Sequence, residues 1–191
     1  TVVLAPRDHW LSAGCAHEGP VATRLGLAGI PVAAETTELA RLFALAADTG
    51  ARVHVGRLSS ARGVELVARA RADGLAVSAD VAAHQLHLTE AALGDFDSRA
   101  HVQPPLRSAA DRQALREGVA SGIIDTVCSD HQPHEADAKL LPFGESAPGI
   151  SALETLLPLV LELAASGACG LAAALERVTA GPARALGLEA G

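Results

Sequence analysis

The sequence has no methionine and no tyrosine, and its aromatic side chains amount to three Phe and one Trp in 191 residues. Leu, Val, Ile and Ala must therefore fill any core. So few aromatics also remove the platforms on which single-stranded bases stack. Basic residues are in deficit, 15 Lys+Arg against 22 Asp+Glu for a formal charge of −7, which argues against a nucleic-acid-binding face. The three cysteines, Cys15, Cys128 and Cys169, are odd in number and form no CxxC pair. That disfavours a disulfide framework or zinc knuckle and fits a reducing cytoplasm. No apolar run reaches the roughly 18 residues of a membrane span, so no membrane partner is expected. The opening TVVLAPRDHW lacks the cationic and apolar regions of a signal peptide. It reads as a buried strand with no lead-in and no Met, so the chain is expected to start inside a larger protein.

What is present is ordinary for a globular domain, 49% hydrophobic and 19% charged. Short apolar runs alternate with amphipathic stretches, as in βα units around a parallel sheet. Four strands are expected, at Val2–Ala5, Arg52–Leu58, Ala76–Val81 and Ile123–Ser129. A helix over about Thr37–Thr49 ends at Gly50. A second is capped by Ser59 or Ser60 and ended by Gly74. A third starts at Ser108, with Asp111 three residues on as a box-like cap, and closes at Gly122. A long polar loop covers 130–148, and the remainder from Ile150 reads as helical. Periodicity alone fits a doubly wound sheet or half of an eight-stranded βα barrel.

In either architecture the C-terminal strand ends carry the chemistry. The densest polar cluster, Ser129-Asp130-His131-Gln132-Pro133-His134, follows the fourth strand. A carboxylate with two imidazoles there can bind a metal or move a proton; a capping Asp beside two exposed loop histidines is the plainer account. His84 and His87, with Asp80 just before them, form a weak metal signal and read as hydrogen-bonding histidines. His54, inside a strand, reads as packed; His9, His17 and His101 read as structural or solvated. Gln103 and Arg107 flank a rigid Pro-Pro segment and could hold a carboxylate or amide, or simply cap neighbouring backbone.

Taken together, HVQPPLR (101–107), SDHQPH (129–134) and AKLLPFGESAPGISALET (138–155) resemble the dihydroorotases of the amidohydrolase superfamily. HVGRLSS (54–60) and SADVAAHQLHLTE (78–90) fall in the order and spacing of that family. The resemblance implies an α/β fold, the C-terminal half (strands 5–8 with their helices) of a (β/α)₈ TIM-type barrel. Residues 1–191 would form a single partial domain, truncated at both ends. It also implies a zinc site and reversible cyclisation of N-carbamoyl-aspartate to dihydroorotate in pyrimidine synthesis.

Carried over residue by residue, Asp130 matches a metal ligand and proton-transferring base. His134 matches a contact to the substrate carboxylate, and Pro148 and Gly149 match the loop that holds the pyrimidine ring. Gln103 stands where active members usually have Asn. Two metal-ligand positions depart from the pattern. Leu4-Ala5-Pro6-Arg7-Asp8 has no imidazole where the family has a fifth-strand His, and Arg57 stands at the sixth-strand ligand. Arginine stays protonated and has no lone pair for a cation. The expectation is therefore a catalytically inactive homologue binding no zinc in this segment, and the resemblance to such homologues implies an oligomer with aspartate carbamoyltransferase. The alternative is an active zinc-dependent dihydroorotase using one metal on upstream ligands, with Asp130 as base. A hydantoin-like substrate is a minor third reading.

Overall fold

The structure is a computed structural model and describes residues 1–189. Four short strands, β1 (Val2–Leu4), β4 (Val53–Val55), β5 (Val77–Ala82) and β6 (Thr126–Cys128), form one parallel sheet in the order β1-β4-β5-β6. Val3 sits opposite His54, His54 opposite Ser78, and Asp80 opposite Thr126. Side chains alternate across a strand, so two faces separate cleanly. Val53, Val55, Val77, Ala79, Val81 and Val127 belong to the main core. The opposite face carries His54, Ser78, Asp80, Thr126 and Cys128.

Helices cover the apolar face. Helix α2 (Ala33–Thr49) contributes Leu39, Leu42 and Ala46 to the core, α3 (Ala61–Ala72) contributes Val64 and Val67, and α4 (Ala109–Ser121) contributes Leu115 and Val119. The expected stop signals act as read: Gly50 and Gly122 adopt left-handed conformations at the C-caps of α2 and α4. Ser60 caps α3 by accepting from the Gly63 N–H. Ser108 and Asp111 form a complete capping box on α4.

Several boundaries differ from expectation. Helix α2 begins four residues before Thr37, at Ala33, because its N-cap Val32 offers no side-chain bond that the sequence could advertise. The expected strands at 52–58 and 123–129 shorten to three residues each. The stretch 5–32 holds a second, two-stranded parallel sheet, β2 (Ala16–His17) and β3 (Gly29–Ile30), with α1 (Pro20–Leu25) between them. A smaller core of Ala16, Ala22, Leu93, Val102, Leu106 and Phe143 lies beneath it. The polar loop contains a four-residue helix, α5 (Ala136–Lys139), and the C-terminal part divides into α6 (Leu156–Ala165), α7 (Leu171–Glu176) and α8 (Ala180–Leu186). No helix among the described residues is long and apolar enough to cross a membrane.

Candidate functional site

The polar face of the sheet leads up to the C-terminal strand ends, and Asp80 is its hub. One oxygen of Asp80 accepts from His54 Nε2 at 2.9 Å. The other accepts from the Arg57 backbone N–H at 2.7 Å and from Cys128 Sγ at 3.3 Å. A carboxylate accepts only, so His54 carries its proton on Nε2 and Nδ1 accepts from Ser78 Oγ, 2.8 Å away. Burial, with the negative field of Asp80 second, pushes the Cys128 thiol well up, so this cysteine is inert as a nucleophile. His54 is thus a packed histidine, as its place within a strand suggests.

Arg57 and Asp130 follow β4 and β6, on either side of β5, and both adopt left-handed backbone (φ 59° and 47°). Their side chains meet across that gap: Arg57 Nη1 donates to Asp130 Oδ1 at 3.1 Å. Arg57 also reaches the Gln103 carbonyl at 3.5 Å, and Gln132 Nε2 donates to the same Asp130 oxygen at 2.9 Å. The Asp130 side chain is only 9% exposed, that of Arg57 32%. A two-donor clamp on one carboxylate oxygen leaves Oδ2 as the freer acceptor.

Arg57, Gln103 and Pro148 line a cavity of about 430 Å³, together with Arg7, Glu35 and Arg107. His134 and Gly149 stand beside it. His134 is exposed, its Nε2 3.2 Å from the Pro148 carbonyl. Gly149 has φ 151°, and a Cβ there would overlap the Gln132 carbonyl and crowd His134; only glycine fits. Lys139 Nζ lies within 3.3 Å of the carbonyls of Ser98, His101, Ala147 and Gly149 and so fixes the 147–149 loop. Its role was not legible, since a lysine in a loop carries no pattern of its own.

Glu35 was also missed. It is buried on α2, accepting from the Ser59 N–H (2.8 Å), the Ser59 hydroxyl (2.6 Å) and the Ser60 hydroxyl. Burial raises its pKa against these donors and the Arg107 charge. Arg107, only 3% exposed, donates to Ser59 Oγ (3.1 Å) and to the Ile30 carbonyl (2.8 Å).

The other histidines divide. His131 Nδ1 accepts from the N–H groups of Ala152 and Leu153, and His101 bonds Ser146 Oγ. His87 Nε2 bonds the Leu159 carbonyl. His84 departs from expectation: it is buried, and neither ring nitrogen has a partner among the described residues. Burial pushes its pKa down to about 4, against the field of Asp130.

No family model matches the chain. A dihydroorotase-like protein of Pseudomonas aeruginosa is 54% identical over 192 residues, covering 100% of this chain and 45% of that protein. By sequence the chain is dihydroorotase-like. A dihydroorotase of Syntrophotalea carbinolica is 44% identical across 93% of the chain and 42% of its own length. Among solved structures, L-hydantoinase (dihydropyrimidinase) from Arthrobacter aurescens superposes with a TM-score of 0.80 at 29% identity, over 89% of this chain and 38% of that one. A D-hydantoinase gives 0.75 at 27% identity, over 81% and 35%. Sequence kinship and fold together place the chain in the amidohydrolase superfamily. Its parallel sheet and helices form the C-terminal half of a (β/α)₈ TIM-type barrel, and the chain spans less than half the length of these relatives.

Zinc, which that superfamily implies, does not fit the residues present. Arg57 puts a permanent cation against Asp130. Among the described residues no three His, Cys, Asp or Glu side chains cluster to hold a metal ion.

Proposed function

We propose that this dihydroorotase-like chain belongs to a protein of pyrimidine biosynthesis that does not turn over dihydroorotate at this site and serves as a structural partner of aspartate carbamoyltransferase. The ion pair between Arg57 and Asp130 is the observation that supports the first half of this reading. A general base needs a free lone pair within reach of the proton it takes. Here Oδ1 of Asp130 accepts from both Arg57 and Gln132, and the guanidinium charge beside the carboxylate makes it a weaker base. A second cation beside the guanidinium would meet strong repulsion at low effective dielectric. The partnership itself rests on the resemblance to non-catalytic dihydroorotase homologues.

The alternative, a one-metal dihydroorotase with upstream ligands, draws on Asp130, His134 and Gly149 standing together at one strand-end face. The full-length protein, supplied with zinc, decides between them by assay of N-carbamoyl-aspartate cyclisation. The proposal expects no turnover by the protein alone and stoichiometric co-purification with the transcarbamoylase. It also expects Asp130→Ala to leave transcarbamoylase activity of the complex little changed. Zinc-dependent turnover that is lost in Asp130→Ala would overturn it.

A further inference from the structure

Of the 15 Lys and Arg side chains, Lys139 is the one lysine; all the others are arginine. It ends the four-residue helix α5, and its ammonium sits where carbonyl oxygens converge from two other segments. Ala147 and Gly149 offer theirs at 2.7 Å each, Ser98 at 3.1 Å and His101 at 3.3 Å. Among the described residues every acceptor on Nζ is a backbone carbonyl. Burial lowers the Lys139 pKa, and Asp97 opposes the drop only through its field, its oxygens being held by Arg99.

This is coordination by neutral dipoles, the way backbone carbonyls replace the water shell of a potassium ion. An ammonium is compact and has three rotatable donors, so one atom can be shared among several oxygens. A guanidinium is planar and spreads its charge over a rigid fork, which does not suit a single point. The one lysine thus stands where a compact cation fits and arginine does not. Other bonds shape the cage without help from the ammonium. The Gly149 N–H donates to the His101 carbonyl at 2.8 Å, the Ala147 N–H to the Ala138 carbonyl at 3.0 Å, and Ser98 Oγ to the Lys139 carbonyl at 2.6 Å. His101 is fixed in turn by Ser146 Oγ at 2.8 Å and by stacking on Phe143. Without a cation, four oxygens would face one another as unpaired acceptors.

We propose that the carbonyls of Ser98, His101, Ala147 and Gly149 form a monovalent-cation site, of the ammonium and potassium class, which the chain fills with its own lysine. The tethered cation orders the 147–149 loop without drawing an ion from solution. Pro148 of that loop lines the neighbouring cavity, so the cation sets one edge of the candidate site from behind. The proposal is independent of whether any reaction occurs in that cavity.

Hydrogen exchange of the full-length protein, with choline as the background cation, tests this. Lys139→Ala removes the ammonium and leaves the cage open. Amide exchange across 147–149 should then rise by about tenfold or more, because hydrogen bonds to a charged group are lost. Methylammonium or potassium should restore protection saturably. Tetramethylammonium at equal ionic strength, larger and without an N–H, should not. Lys139→Arg should stay poorly protected, and wild type should respond to none of these cations. No rescue of Lys139→Ala by methylammonium or potassium, equal rescue by tetramethylammonium, full protection in Lys139→Arg, or cation-dependent protection in wild type would overturn the proposal. A measurement on wild type stands apart from any folding defect in the variants. Lys139, followed by mass spectrometry, should be acetylated by acetic anhydride at least about tenfold more slowly in the native protein than in urea, as an ammonium held by several charge-assisted bonds implies; equal rates would overturn the proposal.

Discussion

Acid should destabilise this fold in part through the buried His84. Its ring is 3% exposed and its nitrogens find no partner among the described residues. Desolvation lowers its pKa from the ordinary 6.5 to about 4, the charge of Asp130 offsetting part of the drop. Between these values the unfolded chain binds a proton that the folded chain does not. Stability is therefore lost as pH falls through 6.5 towards 4. The full depression corresponds to about 3 kcal/mol at 1.36 kcal/mol per pH unit. Integrated only from pH 7 to pH 5, where the folded ring is still mostly neutral, the loss is about 2 kcal/mol.

His84→Phe isolates this contribution. A ring of similar shape without nitrogens removes both the proton site and two unsatisfied polar atoms, so stability at pH 7 should change by less than about 1 kcal/mol. His17, His87 and His101 are also lowered by burial, and Glu35 is raised with the opposite sign, so the wild-type slope alone is not diagnostic. The difference between wild type and variant is. Urea unfolding of the full-length protein at pH 7 and pH 5 should show His84→Phe losing about 2 kcal/mol less than wild type over that interval. The His84 ring protons should show no titration near 6.5 by NMR. Equal pH sensitivity in the two proteins, or a ring that titrates at 6.5, would refute the reasoning.

Three further substitutions test the packing at the starts of α3 and α4. Gly63→Ala would gain about 1 kcal/mol of helix propensity in α3, but its Cβ would overlap Oε1 of Glu35, so a net loss of about 1–3 kcal/mol is expected in thermal unfolding; much of it should vanish when Glu35 is already Ala. Ser108→Ala should cost about 1 kcal/mol by opening the α4 cap, and Asp111→Ala more, because Asp111 also accepts from the Ala61 N–H at 2.9 Å and ties the starts of α3 and α4 together; equal losses in urea titration would show that this second bond contributes nothing.

The sheet was legible because its strands are β-branched runs bounded by glycines and caps, and the left-handed glycines at 50 and 122 mark helix ends in the sequence itself. What escaped is short or unadvertised. Strands β2 and β3 have two residues each, too few to show alternation, and they approach so closely that a Cβ on Gly29 would press on the Glu18 backbone. At the site, Arg57 and Asp130 follow β4 and β6, which the strand order sets one neighbour apart. Glu35 was not legible, because a glutamate in the first turn of a helix looks like any solvated residue favouring the dipole. The isolation of His84 is a property of what surrounds it, which no local pattern encodes.

The retention of Asp130 can be weighed on this geometry. Asp80 holds the Arg57 backbone N–H and is itself held by His54 and Cys128. Arg57, so fixed in left-handed backbone, projects its guanidinium to Asp130, which Gln132 clamps from the other side. Three strands are thereby joined by one continuous polar chain across the mouth. Removing Asp130 would leave the guanidinium, two-thirds buried, without its countercharge, and a partly desolvated charge that loses its partner is costly whether or not any reaction occurs. An aspartate at 130 thus has a structural reason to be there independent of proton transfer. Its presence does not favour the active reading over the inactive one, whereas the arginine facing it favours the inactive one directly.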